Sequence, residues 1–128
     1  GFIDASVIDR INIRQATLLA MQAALQDLAC QPDFLLVDGR DRVPVNQPQR
    51  IVVRGDQTVG SIAAASIVAK VSRDHYMEAL DGQFQGYGLA QHKGYGTLTH
   101  VRAIQQLGPT MIHRVTFRGV VQTAGRHD

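Results

Sequence analysis

The sequence predicts an α/β domain with at least some parallel strand pairing and an incomplete sheet. Three observations carry this reading. Two short apolar runs, FLLV and QRIVV, lie between longer helical patterns, and strands alternating with helices argue for α/β. Each run leads to an aspartate, Asp38 and Asp56. Two strands alone make a poor sheet, so the chain is expected to be part of a larger fold. The absence of an initiator Met points the same way.

Ile11, Leu18 and Leu25 recur at seven-residue steps, with Met21 and Leu28 between them. This spacing gives one apolar side of a helix over about Asp9 to Ala29, with Asp9 as N-cap and Pro32 beyond the end. FLLV is apolar on both faces and reads as a buried strand. GRDRVPVNQPQ is a loop, and QRIVVRGD a second strand ending on Asp56. SIAAASIVAKVSRDHYMEAL is a helix without a polar stripe before Ser72. Its first half is expected to be buried nearly all round, with Ala63, Ala64, Ala65, Ser66 and Ala69 close against a sheet. From Arg73 it turns polar and is expected to leave the core. QGYGLAQHKGYGT is a loop. Thr97 or Thr99 caps a last helix through about Leu107, stopped by Gly108-Pro109. MIHRVTF closes the ordered part, and residues 118–128 are expected to be a flexible tail on a single partial domain, 1–128.

Composition narrows the classes. A length of 128 residues fits one domain, and 45% apolar residues allow a true core. Net charge is +2 and the pI about 9.0, a mild basic bias compatible with nucleic acid but not diagnostic of it. The single cysteine, Cys30, excludes an internal disulfide and fits a reducing cytoplasm. The longest apolar run, Ile62 to Val71, contains Ser66 and Lys70 and is too short to span a bilayer. No signal peptide or repeat is present in the sequence.

Asp38 and Asp56 stand where ligands gather in α/β sheets, outside the carboxyl ends of strands. Two carboxylates there repel unless a cation lies between them, and hard oxygen donors suit Mg²⁺ or Mn²⁺. On spacing alone the plainer reading is first: each Asp starts a turn, or Asp56 caps the helix that follows. Other chemistries lack their partners. There is no P-loop, C-x-x-C, H-E-x-x-H or G-x-S-x-G pattern. Gly86-Tyr87-Gly88 and Gly94-Tyr95-Gly96 bracket His92 and Lys93. A Tyr ring can stack on a sugar or base, and His92, Lys93, His113 and Arg114 can meet phosphate. The plainer reading packs Tyr87 and Tyr95 as lids on the core. Lys70 either snorkels from a buried helix or orients phosphate.

Together, VDG, RGDxxxxSIAAASIVAKVSRD, GYGLAQHKGYGTxxH and LGPxxIHRxxF resemble ribonuclease HII of the bacterial type. IDRINIRQATLLAMQAAL is similar to that family's helix before its third metal aspartate. The resemblance covers about Ile8 to Phe117 and is to the C-terminal two-thirds of the family. It implies a ribonuclease-H-like mixed sheet flanked by helices. It implies an endonuclease that cuts the RNA strand of RNA–DNA hybrids and nicks at ribonucleotides in duplex DNA, as in ribonucleotide excision repair. Asp38 and Asp56 match two of the family's four metal carboxylates, with Mn²⁺ or Mg²⁺ as cofactor. Tyr95 matches the tyrosine that packs on the sugar at the RNA–DNA junction. His92, Lys93, Lys70 and Arg114 are the expected phosphate contacts. A cytoplasmic monomer with no membrane partner is implied. The sequence departs from the family in three ways. The D-E-A-G-R-G motif, with the other two carboxylates, is absent; Arg54 stands where Lys is common; GRDRVP is a residue longer than usual. The alternative is therefore a catalytically inactive fragment that at most binds nucleic acid weakly.

Overall fold

In the computed structural model, which describes residues 1–117 and 120, the first helix starts behind Asp4. This helix, α1, spans Ala5–Gln26, and the Asp4 carbonyl accepts from Val7 and Ile8 N–H. The expected start at Asp9 is therefore too late. A second start lies inside the helix. Asn12 leaves helical geometry at φ 68, ψ 164, and its side-chain oxygen accepts from Gln15 N–H at 3.1 Å. Asn12 acts as an N-cap in mid-helix, which gives the kink a cause. Asp27 closes α1, so Leu28 lies beyond it and is exposed.

The chain divides into two compact units, Gly1–Val68 and Ala69–Asp128. In the first, β1 (Leu35–Asp38) and β2 (Gln49–Val52) pair in parallel, with Leu35 opposite Gln49 and Asp38 opposite Val52. Leu35, Val37 and Val43 form the core, with Met21, Leu25, Val45 and Ile51 packed against it. The expected two-sided burial of FLLV is not met: Phe34 and Leu36 are 54% and 43% exposed. Successive strand side chains point to opposite faces, and this core covers one face.

Residues 39–48 join the parallel strands without a helix, which is unusual for such pairs. Gln49 makes this possible. Its Oε1 accepts from Val43 N–H and its Nε2 donates to the Val43 carbonyl, both at 2.9 Å. One side-chain amide thus bonds both backbone groups of buried Val43, whose carbonyl also accepts from Val45 N–H at 2.8 Å.

After β2 the chain turns through Arg54, at φ 56, into a short helix, α2 (Gly55–Thr58). Asp56 lies in that helical turn and not at the end of a strand, because the left-handed Arg54 ends the extended run first. α3 (Gly60–Gln83) follows. Ile62 is buried, but Ile67 and Val68 are 63% and 66% exposed, so the predicted all-round burial is wrong. Alanine favours helix whether or not it is buried, and the apolar run reflects that propensity. The expected exit from the core after Arg73 is also wrong: Met77 and Leu80 are buried.

In the second unit, Met77, Leu80, Tyr87, Leu89, Ala103, Ile104 and Val120 make one core. A short helix, α4 (Leu89–His92), lies inside the glycine-tyrosine loop. α5 (Leu98–Leu107) starts at Thr97, whose hydroxyl accepts from His100 N–H, and ends at Gly108. Both ends agree with the sequence. Of the expected tail, residues 118, 119 and 121–128 lie outside the described residues.

Gln49→Leu should keep the volume and lose both bonds to Val43. We expect a stability loss of about 1–3 kcal/mol, read as a lower urea midpoint.

Candidate functional site

Asp38 is the last residue of β1 and is half-buried. Its Oδ1 accepts a hydrogen bond from Gly55 N–H at 2.8 Å. The carboxylate thus reaches the residue directly before Asp56, across a sequence separation of 17. It does not make the local turn that spacing alone would suggest. Two glycines shape this turn in different ways. Gly39, at φ 118, takes the chain out of β1 through a conformation that side chains rarely adopt. Gly55 is buried, and a Cβ there would press on the end of the Ile62 side chain, 2.6 Å away, and come within 3.3 Å of Val52 Cβ. Asp56 is exposed in the first turn of α2.

Asp38 and Asp56 offer hard oxygen donors of the kind Mg²⁺ or Mn²⁺ takes, alongside water and substrate phosphate. In that limited sense the residues fit such an ion. Among the described residues, no group of three or more His, Cys, Asp or Glu side chains could hold a metal.

The second unit carries the other predicted residues. Lys70 is exposed and ion-paired to Asp74 at 2.5 Å, one helical turn on. It does not snorkel, because α3 is solvent-exposed there. That hydrogen bond holds the Asp74 carboxyl below its usual range. Lys93, at φ 51, reaches Glu78 and the Ala90 carbonyl. Arg114 lies over the Phe117 ring, 5.2 Å from its centroid. Tyr95 is 58% exposed, with the Arg73 guanidinium 5.7 Å from its ring centroid. Arg73 also donates to the Lys93 carbonyl at 3.1 Å. Sequence reasoning did not single out Arg73, although it lies in the SIAAASIVAKVSRD motif. Tyr87 behaves oppositely: it is buried and donates its hydroxyl to the Gly108 carbonyl at 2.6 Å.

His92 lies inside the loop, with both ring nitrogens committed to backbone. It faces the Tyr87 carbonyl at 2.7 Å and Gly94 N–H at 3.2 Å. Its ring stacks on His100, centroids 4.2 Å apart, and His100 Nε2 meets His113 Nε2 at 3.2 Å. Burial lowers the pKa of His100 and His113, and each is lowered further by a neighbouring histidine. Their shared cluster escaped sequence reasoning because the three lie far apart in the chain.

A family model described as Ribonuclease HII matches residues 1–120. The chain belongs to the ribonuclease HII family. It is 57% identical over 120 residues to ribonuclease HII of Geobacter metallireducens, covering 94% of this chain and 56% of that protein. Ribonuclease HII of Geobacter sulfurreducens is 54% identical over 125 residues, covering 98% and 58%. That of Dehalococcoides mccartyi is 54% identical over 117 residues, covering 91% and 55%. The chain therefore spans a little over half the length of the curated relatives it matches. Its parallel strands and helices are consistent with the ribonuclease-H-like fold that ribonuclease HII membership implies. Among the described residues no helix is long and apolar enough to cross a membrane.

The lowered histidines set a sign for acid stability. Their folded pKa values lie below the ordinary 6.5, so their contribution is complete above that pH and is lost as pH falls through the lowered values. Thermal melts between about pH 7 and pH 5 should show a falling midpoint, in step with the ring titrations seen by NMR.

Proposed function

We propose that this chain is part of an endoribonuclease that cleaves the RNA strand of RNA–DNA hybrids and nicks at ribonucleotides embedded in duplex DNA. The observation that carries the reading is the bond between the Asp38 carboxylate and Gly55 N–H, which holds one carboxylate beside the turn that bears another. Asp38 and Asp56 would hold Mn²⁺ or Mg²⁺, with Asp38 a direct ligand and Asp56 a ligand or water orienter. Such ions supply charge stabilisation for phosphodiester hydrolysis by a two-metal mechanism that leaves 5′-phosphate and 3′-hydroxyl ends.

The remaining roles fall to the second unit. The exposed Tyr95 ring packs on the sugar at the RNA–DNA junction, backed by Arg73. Lys70, Lys93 and Arg114 meet backbone phosphates, while His92 supports the loop that carries Lys93 and Tyr95. Such contacts set affinity and register. The protein acts in the cytoplasm as a monomer, in removing ribonucleotides from DNA.

A second reading has its own support. Among the described residues the donor set stops at two carboxylates, short of a protein cage for a metal. On that reading the chain alone is inactive and binds nucleic acid weakly.

A cleavage assay with Mn²⁺ on a duplex carrying one ribonucleotide separates the two. The first reading expects cutting that Asp38→Asn reduces by about 100-fold or more. No cutting by the unaltered chain leaves the second. Binding adds an independent check: Tyr95→Ala should weaken the complex by about 10-fold through lost stacking, and Tyr95→Phe should retain most of it.

A further inference from the structure

His92, His100 and His113 are 9%, 6% and 7% exposed, and their hydrogen bonds admit one consistent set of protons. His113 Nδ1 accepts from Thr110 N–H at 3.1 Å and from the Thr110 hydroxyl at 2.9 Å. Its proton must therefore sit on Nε2, which faces His100 Nε2 at 3.2 Å. His100 Nε2 is then the acceptor, and His100 carries its proton on Nδ1. That Nδ1–H donates to the Tyr95 carbonyl at 3.0 Å. His92 is fixed in the same way. Its Nδ1 accepts from Gly94 N–H, so Nε2–H donates to the Tyr87 carbonyl.

The donations run in one direction, from Thr110 through His113 and His100 to Tyr95. The Tyr95 carbonyl also accepts from Thr97 N–H, and Tyr95 N–H donates to the His92 carbonyl, both at 2.8 Å. Every polar backbone group of Tyr95 is thus committed, while its ring projects outward.

We infer that His100 and His113 are positioning residues for Tyr95, acting through a relay of N–H donations that exists only while both rings are neutral. The inference rests on the reading of Tyr95 as the sugar contact. A proton added to His113 lands on Nδ1, against Thr110 N–H. A proton added to His100 lands on Nε2, against His113 Nε2–H. Either sets two donors face to face and breaks the relay upstream of Tyr95, so the rings must shift, and the His100 ring, whose Nδ1–H still faces the Tyr95 carbonyl, carries that carbonyl with it. The charged and titratable groups nearby do not favour protonation. His92 stacks on His100, and the Tyr87 ring lies 5.0 Å from that of His113. Lys93 next to His92 and Arg114 next to His113 are cations, the first tied to Glu78 and the second over Phe117. No carboxylate bonds any of the three rings among the described residues.

The test uses the unaltered chain and a short DNA duplex carrying one ribonucleotide, with chelator present so that binding alone is read. Ring-nitrogen NMR should find His113 and His92 protonated at Nε2 and His100 at Nδ1. Affinity should fall about tenfold between pH 7 and pH 5, tracking the His113 titration, with unchanged far-UV circular dichroism. General electrostatics predicts the reverse, because added positive charge tightens binding to phosphate. Tyr95→Ala should bind more weakly at pH 7 and lose that acid-dependent fall. Opposite tautomers overturn the inference. So does an affinity that stays flat or rises in acid while Tyr95→Ala still weakens binding, a result that spares the role of Tyr95. Loss of the circular dichroism signal over the same range also overturns it, because the histidines would then act on the whole fold. Should Tyr95→Ala bind as tightly as the unaltered chain at pH 7, the sugar-contact reading fails and the relay's purpose fails with it.

Discussion

The hydrogen bond from Gly55 N–H to the Asp38 carboxylate is the constraint on which the arrangement of the first unit depends. A charged acceptor makes such a bond stronger than a neutral one. It joins the end of β1 to the turn after β2, at the level where Asp38 stands opposite Val52. Ile62 packs on the same place from α3, its side-chain end close against Gly55. The VDG and RGD motifs and the start of α3 are therefore one packed arrangement. Asp56 is carried into the neighbourhood of Asp38 by backbone geometry, with its own side chain left exposed to solvent.

The order of the longer elements and the bounds of α5 were legible because their signals are local, while the one-turn helices α2 and α4 were not. Thr97 caps the nearby His100 N–H, and Gly108 stops the helix one residue after Leu107. Burial was not legible in the same way. It depends on what packs against a segment, and apolar content in α3 or β1 does not state that. The start of α1 was missed for another reason. Asp4, Asp9 and Asn12 are all acceptable caps by residue type, and backbone geometry selects the first and last. Asp38 and Asp56 were singled out from position and resemblance, although Asp56 lies in a helical turn and not at a strand end. The bond from Gly55 N–H to Asp38 was not, because a bond across 17 residues leaves no mark in local spacing.

The two Gly-Tyr-Gly triplets show how far a short motif can inform. Both give the chain turning freedom, with positive φ at Gly86, Gly88 and Gly94. Yet Tyr87 is sealed in the core by Leu89 and Ile104, while Tyr95 stands in solvent above Arg73. The difference comes from outside the triplets. Gly108 offers a carbonyl to the first ring, and α3 offers a guanidinium to the second. His92, between them, bonds the backbone of Tyr87 and Gly94, and His100 that of Tyr95. Exposure and core packing are thus divided between two identical sequence words.

The Gln49 amide has a consequence for how the chain tolerates change. By gripping Val43 on both sides, it divides the connection between the strands into two independent spans, 39–42 and 44–48. An inserted residue in the first span is absorbed before the clamp and does not shift the pairing of Gln49 with Leu35. Length variation in GRDRVP is thereby insulated from strand register.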